Sequence, residues 1–453
     1  MVVFNDSTLL TEGQILEGKY HRYRVGKLIG KGSSARIFSG VNLETGQQVA
    51  MKIEYTHSGS THLQHEYSMY RALEGTPGIP KIYEICKKNE DVIIVMEYLG
   101  PSLEWLFKYC NKRFSVKTVC MIGKRMVELI RNVHNKGVIF RDIKPENFLI
   151  GNIPGAIETT PINSSATHYE LNKHLSITSV RMSDGSGSDS GEVTKPLFNE
   201  LEKRYNTSTT DINTSFYKHN RNSSVYSLIE PPSARDRSSL QSVGRNSSIV
   251  DHDDPVLLPL QVKAASQIHI MDFGLSEYYR DMKTNVHKPR SLRFPCGTPR
   301  FMSRNTHMCE QQSRRDDLES IGYVLIYFLC QGRLPWQGYK AETMEELISK
   351  IWAKKSKTSL EKLCKGYPKQ FEQYLRYVRN LGFTETPNYQ YLIGLFDKVL
   401  ENIGEVDDGM FDWILQGREG YVIPEIHRSK RDSITRWCKE VWSSISKKRI
   451  DVY

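Results

Sequence analysis

Phe140-Arg141-Asp142-Ile143-Lys144-Pro145-Glu146-Asn147 sets a carboxylate, an ammonium and a carboxamide within one short stretch, and Asp272-Phe273-Gly274 follows far downstream. Three further features stand in fixed order before it. Ile29-Gly30-Lys31-Gly32-Ser33-Ser34-Ala35-Arg36-Ile37 is a glycine loop, Lys52 closes Val49-Ala50-Met51-Lys52, and Glu66 lies midway along the helically spaced run Leu63 to Leu73. Gly30 and Gly32 let backbone N–H groups approach an anion because no Cβ stands in the way. Taken singly, the G-x-G reads equally well as an ordinary hairpin, and Lys52 or Glu66 as solvated surface charge. Glu54 and Glu74 compete with Glu66, which fits the middle of the helix best. The ordered set carries far more weight than any member.

Around these residues the pattern divides in two. Tyr23-Arg24-Val25, Arg36-Ile37-Phe38 and Val49–Ile53 are short β-type runs, with a turn signal at Glu44-Thr45-Gly46, and Val92 to Tyr98 reads as a buried strand. From Ser102 onward the periodicity is helical. Ser115 is the expected N-cap of an amphipathic helix reaching about Lys136. Further helices are predicted over Asp316–Cys330, Thr343–Ala353, Lys369–Leu381 and Asn388–Asn402. The expectation is an α+β, two-lobed molecule: a small β-rich lobe with one helix, then a larger helical lobe. Asp317, at the start of a buried helix, is expected to accept backbone N–H bonds from the Asp142 loop while also serving its helix as a cap.

The 453 residues suit a two-lobed core with added segments, and 39% hydrophobic residues suffice for that core. The longest near-continuous apolar run, Ile321 to Cys330, is too short to span a bilayer. No secretory leader or myristoylation glycine is evident at the N-terminus. Eight scattered cysteines without a C-x-x-C pair read as reduced thiols, which points to cytosol or nucleus. A net charge of +10 implies an acidic partner, but no nucleic-acid-binding module accompanies it, so nucleic acid is not expected.

Between 152 and 262 Ser, Thr, Asn and Asp dominate and apolar periodicity disappears, so an insert is expected to be disordered. Residues 1–20 are expected as a flexible lead-in, 21–415 as the interrupted domain and 416–453 as a basic extension. Asn147 and Asp272 are 125 positions apart. If both serve one site, the insert must leave and return at neighbouring points, at a loop-closure cost only about 2 kcal/mol above that of a short connection.

The ordered set resembles the protein kinases. The resemblance implies that the loop Ile29–Ile37 covers the phosphates of ATP and that Lys52, held by Glu66, binds the α/β-phosphates. Asp142 would accept or orient the substrate hydroxyl proton, and Lys144, a mark of Ser/Thr kinases, would stabilise the transferring phosphoryl. Asn147 and Asp272 would hold Mg²⁺. Within that class, Leu99–Glu104, Phe114–Thr118, Gln312–Ser320, Leu334–Gly338, Cys364–Pro368 and Ser303-Arg304-Asn305 resemble the casein kinase 1 family. This implies activity without activation-loop phosphorylation and a preference for acidic or already phosphorylated protein substrates, a priming phosphate being met by Arg300. The chain departs from the family's patterns at Ala35, in place of a third glycine, and at Phe140, in place of a histidine. It departs again at Thr343-Met344-Glu345-Glu346-Leu347, acidic where a basic cluster is usual. Weakened dependence on priming is therefore expected, and the nuclear-localisation signal usual in that stretch is missing. A pseudokinase scaffold that binds nucleotide and partner proteins is the alternative reading.

Outside the core, Arg221-Asn222-Ser223-Ser224, Arg235–Ser239 and Arg245–Ser248 repeat a basic-serine pattern that suits an upstream basophilic kinase, or else marks a biased linker. The acidic serine run near Ser186–Ser190 is a candidate autophosphorylation target. Ile434, Trp437, Val441, Trp442 and Ile445 share one helical face flanked by Lys and Arg. Such a helix can lie on an anionic membrane surface or pack its tryptophans on the larger lobe. The expected molecule is a monomer, cytoplasmic, with nucleus and membrane periphery as further addresses.

Overall fold

Val49, Met51 and Ile53 point to one side of their strand, and Ala50 and Lys52 to the other. Both sides are covered, which is why this strand reads as an unbroken apolar run interrupted by one lysine. The computed structural model describes residues 10–31, 35–54, 62–88, 91–152, 257–416 and 423. The chain divides into Met1–Thr178 with Gln261–Tyr453, and Ser179–Leu260. Of the latter, only the opening turn of one helix is described.

The smaller lobe is a six-stranded antiparallel sheet of β1 (Ile15–Glu17), β2 (Arg22–Lys31), β3 (Ala35–Asn42), β4 (Gln48–Glu54), β5 (Ile82–Lys88) and β6 (Asp91–Glu97), in the order β1-β2-β3-β4-β6-β5. The β3–β4 turn is closed by Asn42, whose side-chain oxygen accepts the N–H groups of Glu44 and Thr45. One sheet face buries Tyr23, Val25, Phe38, Met51, Ile93 and Val95. The other receives α1 (His62–Ala72) through Leu63, Met69 and Tyr70. Glu54 Oε2 accepts the Leu63 N–H at 2.8 Å and ties the start of α1 to β4.

The larger lobe is helical. Its described helices are α2 (Leu103–Tyr109), α3 (Val116–Asn135), α4 (Leu257–Ser266), α5 (Arg304–His307), α6 (Arg314–Leu329), α7 (Met344–Ser356), α8 (Leu360–Leu363), α9 (Lys369–Asn380), α10 (Tyr389–Asn402) and α11 (Asp412–Leu415). Ser115 caps α3 as expected, its Oγ accepting the Thr118 N–H at 3.1 Å. Gly123 lets α3 approach its neighbours closely: a Cβ there would stand 2.8 Å from Phe396 of α10. From Leu318 to Leu329 every residue of α6 is buried, each large apolar side chain contributing about 1.5–3 kcal/mol of transfer free energy. No helix of the described residues is long and apolar enough to cross a membrane.

Two short pairings build the floor of the cleft. β7 (Val138–Ile139) pairs with β10 (Glu277–Tyr278), and β8 (Phe148–Ile150) pairs with β9 (Ile268–Ile270) so that Ile150 faces Ile268. Residues on either side of the insert are therefore adjacent. Two expected boundaries need correction. The flexible lead-in assigned to 1–20 overlaps β1, whose Leu16 is buried on the sheet because Ile15-Leu16-Glu17 adds an edge to β2. The disordered insert assigned to 152–262 overlaps α4, which begins at Leu257. The rest of the insert, the basic-serine repeats and the Ile434–Ile445 face lie outside the described residues.

Candidate active site

Lys52 leaves β4 on the face that meets α1, and Glu66 is one of the four buried residues of that helix. Lys52 Nζ lies 2.9 and 2.7 Å from the two Glu66 oxygens and 2.7 Å from Asp272 Oδ1. Burial alone would depress the ammonium, but Asp272 and Glu66 raise it above its ordinary value. Asp272 is reached from the other direction. Its backbone is left-handed (φ 73°), and its N–H donates to the buried Tyr70 hydroxyl at 3.0 Å. Burial works against its charge, while Lys52 and Lys144 hold its carboxyl below the usual range. The next residue, Phe273, meets Tyr70 and Phe140 edge-on, each with ring centroids 5.1 Å apart. Phe140 thus completes an aromatic column from α1 to the Asp142 loop, a packing role that any large apolar ring can fill.

The second half of the site surrounds Asp142. Lys144 Nζ donates to Asp142 Oδ2 at 2.6 Å, the Thr298 hydroxyl donates to Oδ1 at 2.7 Å, and the Asn147 amide donates to the Asp142 carbonyl at 3.0 Å. Asn147 and Asp272 are brought together by the β8–β9 pairing, the Met271 N–H donating to the Asn147 carbonyl at 3.0 Å. Asn147 commits its N–H groups to Asp142, and the Asp272 side chain is 39% exposed to the cleft. One amide oxygen and one carboxylate suit a hard cation that keeps waters and phosphate oxygens as its other ligands. No cluster of three or more metal-ligating side chains exists among the described residues.

Gly297 sits in the left-handed region at φ +105°, where a Cβ would stand 2.4 Å from the Arg141 carbonyl. Its bareness lets Thr298 reach Asp142. Asp317 does what its position at the head of a helix suggests, and more. Its carboxylate accepts the N–H groups of Phe140 and Arg141, both at 2.8 Å, and His134 Nε2 at 2.9 Å.

Of the glycine loop, Ile29–Lys31 and Ala35–Ile37 are described, with Gly30 opposite Ile37 and Lys31 opposite Arg36. Ile37 in turn lies opposite Lys52. Gly32, Ser33 and Ser34 lie outside the described residues. Arg300 is set apart from the Lys52 and Asp142 groups: its guanidinium stands 5.6 Å from the ring centres of Phe301 and Tyr327, and its field reaches Glu104. Burial, with Glu146 nearby, lifts Glu104 to about 7.

Sequence reasoning missed Tyr70, Thr298 and Lys355. Thr298 follows a glycine and precedes a proline, which signals a fixed turn but not its target. Lys355 is buried, its ammonium donating to the carbonyls of Pro299, Arg300 and Met302, whereas neighbouring Lys354 is exposed. Lys355 continues the buried face of Leu347 and Ile351 at four-residue spacing, the local signal that could have found it.

The protein kinase domain model matches residues 23–157. The chain is similar to casein kinase I homolog 3 of Schizosaccharomyces pombe, 38% identical over 397 residues, which is 87% of this chain and 65% of that protein. It is similar also to casein kinase I homolog 2 of Saccharomyces cerevisiae, at 34% identity over 88% of this chain and 54% of that protein. The chain therefore spans less than two thirds of the length of these curated relatives.

Proposed function

The chain belongs to the casein kinase I family, and on that premise we propose that it is a working serine/threonine protein kinase that moves the γ-phosphoryl group of ATP to a protein hydroxyl. One observation carries the reading: Lys52 and Asp272, 220 positions apart, form a 2.7 Å ion pair in the cleft that also holds Asp142, Lys144 and Asn147. Asp142 takes or orients the hydroxyl proton, its two oxygens aimed by Lys144 and Thr298. Lys144 lies in the field of both Asp142 and Asp272 and supplies positive charge where the transferring group gains negative charge. Lys52 grips the α/β-phosphates. Asn147 and Asp272 would hold Mg²⁺, which when bound would neutralise phosphate charge.

Casein, ATP and Mg²⁺ with the purified chain test this directly. Asp142→Asn is expected to lower the rate by on the order of a thousandfold with the fold intact. Failure of the unaltered chain to phosphorylate casein overturns the reading in favour of the nucleotide-binding scaffold.

The substrate reading is acidic protein with a weak need for priming. Arg290, Arg293, Arg300 and Arg304 make the segment leading into α5 and its first residue basic, whereas the first turn of α7 carries Glu345 and Glu346. A primed peptide is expected to exceed its unprimed twin by less than about a hundredfold, roughly the worth of one charge-assisted phosphate contact. A larger ratio refutes the proposal. For location, cytosol with an anionic membrane surface as a second address is tested by liposome flotation with and without residues 425–453.

A further inference from the structure

Behind the catalytic loop, away from the nucleotide side, three cations converge on one carboxylate. Arg141 immediately precedes Asp142 and holds a left-handed backbone at φ 72°. It is gripped at three points. Its N–H donates to Asp317 at 2.8 Å, and its carbonyl lies against Gly297. Its guanidinium donates to the Leu275 carbonyl at 2.5 Å and to Glu277 Oε2 at 2.8 Å. The other Glu277 oxygen accepts from Lys288 Nζ at 3.2 Å. Arg293 adds to the positive field, and although burial works against the charge, Arg141 and Lys288 keep the Glu277 carboxyl below its ordinary value.

Kinase activation segments are commonly ordered by a phosphoryl group placed opposite an arginine, because the added charge supplies an anion the segment otherwise lacks. Here an anion is already part of the chain. Glu277 belongs to β10, which pairs with β7 so that Glu277 faces Ile139, two residues before Arg141. Backbone pairing and side-chain fork therefore act on the same junction. The fork is bonded to the segment that carries Thr298, the hydroxyl that aims Asp142.

We propose that Glu277 is a positioning residue, an anion within the segment 273–303 that fixes Arg141 and through it the Asp142 loop. The inference rests on the kinase reading above. Its partner chemistry is Arg141, Lys288 and Arg293, not substrate. It predicts that removing the charge, while keeping the shape, slows the chemical step and leaves nucleotide binding intact.

The test uses the full chain. Glu277→Gln is expected to lower kcat about tenfold while KM for ATP stays within about twofold, and Glu277→Asp to retain most of the rate. In an Arg141→Met background, Glu277→Gln is expected to add nothing further, since the pair acts as a unit. Wild-type kcat in Glu277→Gln overturns the proposal, as do additive losses in the double variant. Should Glu277→Gln fail to fold, Arg141→Met still decides: a kcat at the unaltered level there overturns the proposal. An unaltered chain with no activity sinks the kinase reading instead.

Discussion

Asp317 shows how much one carboxylate can organise. It satisfies the N–H groups of Phe140 and Arg141 together with His134, and His134 uses its other ring nitrogen to accept the Tyr389 hydroxyl at 2.8 Å. Burial keeps His134 below its ordinary value, so the neutral ring with Nε2 protonated fits both partners. Asp317→Asn would set an amide N–H against backbone N–H donors, and a loss of roughly 1–3 kcal/mol with a fall in kcat is expected from urea denaturation and steady-state kinetics. Glu104 gives a pH signature. Its folded value, about 7, lies above its ordinary 4.5, because ionising it costs most in the buried site beside Glu146. The folded chain therefore binds the extra proton, and this contribution to stability falls as pH rises from about 4.5 to 7. Glu104→Gln is expected to flatten the fall, raising the melting temperature relative to the parent at pH above 7. Melting curves across that window check it, and an unchanged slope refutes it.

The elements that follow simple periodicity were legible, and the missed ones are those whose residues hide it. Ser115, with the apolar face it introduces, marks α3 closely, and the hydrophobic spacing behind α7, α9 and α10 gives their extents to within a few residues. β5 ends in Lys87-Lys88 and carries the buried Glu84, which does not read as a strand. α2 has too few turns to show a period, and α4 holds Pro259 in its first turn beside a polar insert. The cap on α3 also has a distant half that no local pattern can reveal. Asp412, at the head of α11, accepts the Ser115 N–H at 2.6 Å and donates its own N–H to the Thr118 hydroxyl at 3.0 Å. The pair reproduces, across nearly 300 positions, what a capping box does within one turn. Asp412→Ala is expected to cost about 1–3 kcal/mol in urea denaturation, because it leaves a buried N–H without a partner. A cost near zero would mean that water takes over the bond.

For the molecule as a whole, the two-lobed α+β expectation holds, and so does the return of the insert to its point of departure. Ile150 faces Ile268, and the Gly151 N–H donates to the carbonyls of Ala264 and Gln267. What the sequence could not convey was the side-by-side placement of groups whose contacts are long-range, such as Lys355 beneath the Pro299–Met302 carbonyls or Arg141 on Glu277. Replacing residues 160–250 with a short linker is expected to leave ATP-dependent transfer intact and to raise stability by no more than about 2 kcal/mol. Loss of nucleotide binding in that variant would mean that the segment belongs to the working core.

The sealed stem formed by β8 and β9 makes this junction a permissive port. A fluorescent or affinity module whose own ends lie close together could be spliced between Asn152 and Leu257 and carried by the folded chain, because the strands that fix Asn147 and Asp272 close before the foreign chain begins.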